Sequence, residues 1–275
     1  MKLNFVVVGG MKCGTTAVGA YFIKHPEVNF CNMTETDYFS HNFNKIGSLE
    51  EYFKIFFEDK PGLRGESSPT YSYSQNLPST AIKLKENFPD IKVILVVRNP
   101  LNRVESHINH LKLNGFSLNK DVKICLKENP DIIDKSRFGF MVDEYIKIFG
   151  KECFKIVKFE DVVSGVGLEQ MCDFLELDTY SKSLPLANKT DARYVQLPII
   201  DFYKRHWLKL RNVPGLNLIK RPLKSLLDKT FSRKLDKEDI VILSDEVKQI
   251  IVDALHEDTL LFKKHYGYSC FDLKK

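Results

Sequence analysis

The run Leu3–Val8 leading into Gly9-Gly10-Met11-Lys12-Cys13-Gly14-Thr15-Thr16 constrains the fold more than any other stretch of the chain. A short β-branched run bounded by Gly-Gly reads as a buried strand. From Thr15 to Lys24 the apolar residues recur at helical spacing, and His25-Pro26 ends them. A strand that passes through a glycine-rich turn straight into a helix opens a βαβ unit. Backbone N–H groups of such a turn converge on an anion, helped by the helix N-terminal dipole.

The same grammar recurs downstream. Val28–Phe30 reads as a second strand, and Ile91–Val97 as a buried one followed by a helix that Pro100 opens. Phe154–Phe159 is another strand, with a helix from about Leu168 to Leu177. Strands alternating with helices predict an α/β, P-loop-type three-layer fold: a central, mostly parallel sheet flanked by helices, with a helical C-terminal part. Past Leu184 the signals weaken to basic amphipathic segments and one helix from about Lys237 to Tyr266. The 275 residues suit a single domain. Residues 1–190 are expected to form its α/β core, and 191–275 a mainly helical region.

Composition excludes several classes. The six cysteines are scattered, with no C-x-x-C pair and no matching His spacing, which argues against a disulfide framework or zinc site and for a reducing compartment. Leu3–Val8 is too short for a signal or membrane segment, so the expected location is cytoplasmic, with no transmembrane segment. Between Val195 and Leu235 ten Lys/Arg stand against two Asp, a net of +8 in a chain of net +5, so the basic character belongs to this segment. Three readings of it stay open: a wall for an anionic acceptor, a peripheral membrane-surface helix, or a helix packed on the sheet with a wet basic face.

The first loop has the G-x4-G spacing of a Walker A motif and then departs from it. Thr15 stands where Walker A has its lysine, and Lys12 lies in mid-loop. The Ile91–Val97 strand ends in Arg98 rather than in an acid suited to magnesium. Phosphate binding is expected, but not of ATP with magnesium. Arg98, at a strand end, can fork onto a phosphate, and Ser106 two turns into the next helix can add a hydroxyl. Two phosphate positions suggest a nucleotide phosphorylated at two places.

At this point the residues become recognisable. Lys12-Cys13-Gly14-Thr15-Thr16 resembles the 5′-phosphosulfate loop of sulfotransferases that use 3′-phosphoadenosine 5′-phosphosulfate (PAPS), and Arg98 with Ser106 resembles their 3′-phosphate motif. Glu35-Thr36-Asp37-Tyr38-Phe39 and Gly65-Glu66-Ser67-Ser68-Pro69-Thr70-Tyr71 resemble segments of the heparan-sulfate branch. Phe159-Glu160-Asp161 and Phe174–Leu177 resemble its later strand–loop–helix. The resemblance covers about residues 3–190. Ser67 stands where heparan-type enzymes often carry Lys, so some other glycan or a small metabolite is at least as good an acceptor.

The resemblance implies a PAPS-dependent sulfotransferase that moves a sulfuryl group to a hydroxyl or amine and needs no metal. Lys12 would stabilise the leaving phosphate, with Cys13, Gly14, Thr15 and Thr16 around the 5′-phosphate. Arg98, Ser106 and Arg193 would hold the 3′-phosphate. Glu35 is implied as the general base, with His107 and His110 as rivals for that role and, with Glu66, as acceptor contacts. Two other classes stand as alternatives: a P-loop kinase or NTPase, and a non-enzymatic module binding a polyanion through the basic segment. A nucleic-acid partner is not expected.

Overall fold

The computed structural model describes residues 1–31, 35–42, 46–184, 194–196, 232–234, 236 and 239–273. Five strands, β1 (Phe5–Val7), β2 (Val28–Phe30), β3 (Leu63–Ser67), β4 (Lys92–Val97) and β5 (Phe154–Lys158), form one sheet in the order β2-β3-β1-β4-β5. Every pairing in it is parallel. In β4 only Lys92 is less than buried, and each fully buried Val, Ile or Leu contributes about 1.5–3 kcal/mol.

Helices α1 (Thr15–Lys24), α2 (Leu49–Phe56), α3 (Ser79–Asn87), α4 (Pro100–Leu113), α5 (Val122–Glu128), α6 (Asp131–Asp134), α7 (Phe138–Phe149), α8 (Phe159–Ser164) and α9 (Val166–Leu175) connect and flank the strands. The crossover from β1 to β2 and that from β3 to β4 run in opposite directions across the sheet. Right-handed crossovers then place α1 and α3 on opposite faces. Tyr21 on α1 meets Cys172 on α9 at 3.4 Å on one side, while Tyr145 on α7 donates to Tyr71 O at 3.0 Å on the other. This is the three-layer α/β arrangement expected from the sequence.

Two features differ from expectation. The helix expected from Lys237 to Tyr266 is a pair, α10 (Asp245–Ala254) and α11 (His256–Tyr266), meeting at the fully buried Leu255. Val247 and Ile251 of α10 pack in one cluster with Val104 and Ile108 of α4, whereas Phe262 of α11 belongs to the main core. Asp258 of α11 accepts the Gly139 and Phe140 N–H groups at the start of α7. One straight helix could not serve both partners. Within the region expected to be helical there is also an antiparallel strand pair, β6 (Tyr194–Gln196) with β7 (Ser232–Lys234), at the two ends of the basic segment. The rest of that segment, and Arg193 just before it, lie outside the described residues.

Because the five sheet strands are parallel, their carboxyl ends share one edge. The chain therefore delivers the phosphate loop (after β1), Glu35 (after β2), Ser68–Tyr73 (after β3), Arg98 (after β4) and Phe159-Glu160 (after β5) to the same side of the molecule.

Candidate functional site

Beyond β1 the backbone stays zipped to β4, with Val8 N on Ile94 O at 2.8 Å and Gly10 N on Val96 O at 3.1 Å. The loop then leaves the sheet and curls, with Lys12 at φ 67° and Gly14 at φ 86°. Left-handed residues in such a turn gather successive N–H groups into an anion-binding concavity. Gly14 is the N-cap of α1, and no side chain caps the helix, so the Thr15 and Thr16 amides are available to a ligand. A Cβ at Gly14 would lie 2.9 Å from the Phe159 ring, so that position needs glycine for space as well as for φ. Thr16 is exposed on the first turn, and Thr15 is buried beside Gly9.

Cys13 differs from its expected role in cofactor binding. Its N–H is committed to Gly10 O at 3.0 Å, its side chain is fully buried, and burial pushes the thiol up to about 12. It shapes the loop from beneath and offers no donor on the open side.

Arg98 joins the two phosphate motifs. Its Nη1 donates to Lys12 O at 3.2 Å, and its guanidinium carbon lies 4.4 Å over the centre of the Phe159 ring. Its Nε is buried without a partner. Burial and the nearby Arg98 charge lower the Lys12 pKa. Ser106 lies partly exposed two turns into α4, a helix that Asn99 caps through Leu101 N at 3.0 Å. The Asn99 amide also donates to Phe271 O at 2.8 Å, which docks the C-terminal turn beside Arg98.

Sequence reasoning passed over Arg103 as a candidate. It is fully buried, bonded to Ser136 Oγ and Ile132 O, and its Nη1 has no partner. Burial lowers its pKa to about 10. Among the described residues no carboxylate forms an ion pair with Lys12, Arg98 or Arg103. The one available signal was an arginine beside the apolar positions Val104 and Ile108 of an otherwise largely polar helix.

Glu35 is exposed, and its carboxyl is raised by partial desolvation and by the neighbouring Asp37 charge. Tyr73 links it to the rest of the site. Burial and the charges of Glu35 and Asp37 push this phenol up to about 12, while Arg103 pulls it down. The Lys135 ammonium sits 5.0 Å over the Tyr73 ring. Neither Asp37 nor Tyr73 was a sequence candidate; polar residues in irregular segments carry no periodic signal.

Two expected acceptor contacts are corrected. Glu66 is fully buried on β3 and takes hydrogen bonds from Thr36, Tyr52, Ser68 and Tyr71, so it is closed to any acceptor. His107 is 1% exposed, and burial pushes its pKa down to about 2, leaving it a neutral ring packed inside the fold. His110, one turn on, is partly exposed, with Nδ1 3.3 Å from the Asn114 amide.

Residues 3–190 match the sulfotransferase domain, and the chain belongs to that family. It is 30% identical over 175 residues to the membrane-associated sulfotransferase kil1 of Dictyostelium discoideum, covering 60% of this chain and 34% of that protein. It is 29% identical over 119 residues to the human bifunctional heparan sulfate N-deacetylase/N-sulfotransferase 2, covering 41% of this chain and 13% of that one. The matches thus span about a third and an eighth of these longer relatives. Among solved structures, a sulfotransferase from Alicyclobacillus acidocaldarius superposes with a TM-score of 0.64 at 19% identity, covering 98% of this chain and 97% of that one. A mouse sulfotransferase complexed with PAP superposes at 0.51 and 13% identity, covering 93% and 84%. These likenesses establish the sulfotransferase fold. Among the described residues, no helix is long and apolar enough to cross a membrane, and no group of three His, Cys, Asp or Glu is placed to hold a metal ion.

Proposed function

We propose that this chain is a PAPS-dependent sulfotransferase acting on a hydroxyl or amine of a glycan or small metabolite. The observation that carries the reading is the bond from Arg98 Nη1 to the Lys12 carbonyl, which makes one continuous surface of two motifs lying far apart in sequence. That surface fits a ligand with two anionic groups. It offers an uncapped helix N-terminus and, among the described residues, an unpartnered Arg98 Nε and cationic side chains at Lys12 and Arg98 without a carboxylate partner. Family membership and the PAP named in the mouse neighbour support the same donor.

When bound, PAPS supplies an activated sulfuryl group on a phosphate leaving group. In this reading the amides of Gly14, Thr15 and Thr16 orient the 5′-phosphate, and Arg98 with Ser106 holds the 3′-phosphate. Arg193 completes that clamp. Lys12 meets the charge that grows on the leaving oxygen. Glu35 takes the proton from the acceptor, and its raised pKa makes it a stronger base than an ordinary exposed carboxylate. No metal is required, because Lys12 and the loop amides meet the leaving group's charge. His110 remains an acceptor contact, while the buried His107 is dropped as a base. The acceptor enters from the side of Glu35, Tyr73 and the segment after Arg193.

All six cysteines are free thiols, which supports a cytoplasmic setting. The name of the Dictyostelium relative supports an added peripheral contact with a membrane. Calorimetric titration with PAP (3′,5′-adenosine bisphosphate), 5′-AMP and ATP–Mg²⁺ tests the donor assignment. Selective binding of PAP is expected. Tighter binding of ATP–Mg²⁺, or no binding of PAP, overturns it.

A further inference from the structure

Burial raises the Glu66 carboxyl above its ordinary value, and against that four hydroxyl donors favour its ionised form. Its two oxygens offer about four lone-pair sites. Four hydroxyls meet them: Tyr71 and Tyr52 on Oε1 at 2.9 and 3.0 Å, and Ser68 at 3.0 Å together with Thr36 on Oε2. Among the described residues no cation pairs with Glu66. Burying a carboxylate in this way costs far more than an apolar side chain of the same size, so a site that keeps one uses its directionality.

The direction can be followed bond by bond. A hydroxyl has one proton, and each of these four turns it towards Glu66, with Thr36 Oγ1 and Tyr71 Oη, 3.1 Å apart, sharing one of those protons between them. Towards the neighbouring amides they then present only lone pairs. Ser68 Oγ accepts the N–H groups of Thr36 and Asp37, both at 3.1 Å. Thr36 Oγ1 accepts from Tyr38 N at 3.2 Å, and Tyr71 Oη accepts from Phe39 N at 3.2 Å. Four consecutive amides, residues 36–39, therefore end on hydroxyls whose proton directions one carboxylate sets. Asp37 completes the brace, in a left-handed conformation with Thr70 Oγ1 donating to its Oδ1 at 2.6 Å.

We infer that Glu66 is a positioning residue that fixes the backbone of residues 36–39 and, through it, the stance of Glu35 beside Asp37 and Tyr73. The inference rests on the proposed role of Glu35 as base. Glu66 itself touches neither reactant. In Glu66→Gln one oxygen becomes an amide donor, the hydroxyls facing it must turn round, and some of the 36–39 amides lose their acceptor.

The test needs no acceptor. Glu66→Gln, Thr36→Val and Thr36→Ser are compared with the unaltered protein by carboxyl NMR titration of Glu35, hydrogen exchange of amides 36–39, and calorimetry with PAP. Glu66→Gln and Thr36→Val should return the Glu35 titration towards the ordinary carboxylate range. They should also speed exchange at 36–39 by about tenfold or more, while PAP affinity stays within about twofold. Thr36→Ser keeps the hydroxyl and should behave as the unaltered protein. An unchanged Glu35 titration in both Glu66→Gln and Thr36→Val refutes the inference, as does a Thr36→Ser variant that fails like Thr36→Val. If Glu66→Gln does not fold, the two Thr36 variants still decide the matter. Absence of PAP binding by the unaltered protein would instead defeat the functional reading, leaving the Glu66 result to be judged separately.

Discussion

Replacing Arg98 by Ala separates two effects that the structure superimposes. Arg98 ties the phosphate loop to β4 through the Lys12 carbonyl at 3.2 Å, and it keeps an unpartnered Nε for a ligand. The first contact is one hydrogen bond from a charged donor to a partly exposed carbonyl, contributing about 1 kcal/mol, or roughly fivefold in affinity for any ligand that uses the loop. Under the proposed function the second would be a two-pronged, charge-assisted contact to a 3′-phosphate, contributing about 3 kcal/mol, or roughly 100-fold. PAP should therefore weaken by about 500-fold in Arg98→Ala, and 5′-AMP by only about fivefold. Calorimetric titration of both ligands against both proteins measures the ratio directly. Arg98→Lys keeps the charge but not the fork or the stacking on Phe159, and should fall between. Equal weakening of PAP and 5′-AMP would show that Arg98 acts only through the loop. No change in either would show that the nucleotide lies elsewhere.

Other outcomes follow from the same geometry. Lys12→Ala should reduce turnover of PAPS by about 10²–10³-fold with PAP still bound, since the lysine is assigned to charge that develops late; a near-normal rate removes it from that role. Asp37→Asn removes the like charge that helps raise the Glu35 carboxyl, so more acid is needed to protonate the more weakly basic Glu35. Because the base must be ionised, the acid limb of the pH–rate profile should move to lower pH, and Asn still tolerates the left-handed backbone. A limb that stays put or moves up argues against Glu35 as base. Gly65→Ala puts a Cβ 2.1 Å from Phe5 Cζ in the middle of the sheet and should destabilise the fold by about 1–3 kcal/mol or more in urea unfolding, a loss that Phe5→Leu partly relieves.

What sequence revealed and what it hid divides along a physical line. Leu3–Val8 and Ile91–Val97 announce themselves because central strands of a parallel sheet are covered on both faces and read as apolar runs, while the edge strands Val28–Phe30 and Phe154–Phe159 mix polar residues into the pattern. Gly14, Lys12 and Arg98 are legible because loop geometry and phosphate chemistry demand particular residue types at strand ends. β3 stayed hidden although it pairs with β1, because Leu-Arg-Gly-Glu-Ser has no apolar period. Its Gly65 gives way to the Phe5 ring, and its Glu66 organises a neighbouring segment, so both residues answer to partners far off in the chain. The hydroxyls of Thr36, Tyr52, Ser68 and Tyr71, the burial of His107 and Arg103, and the break at Leu255 are likewise settled by what lies across the fold. The chain's own order thus fixes its strands and its anion loop, because these depend on neighbours within a turn or two. Only tertiary structure decides which polar side chains face a ligand and which are turned inward to hold those that do.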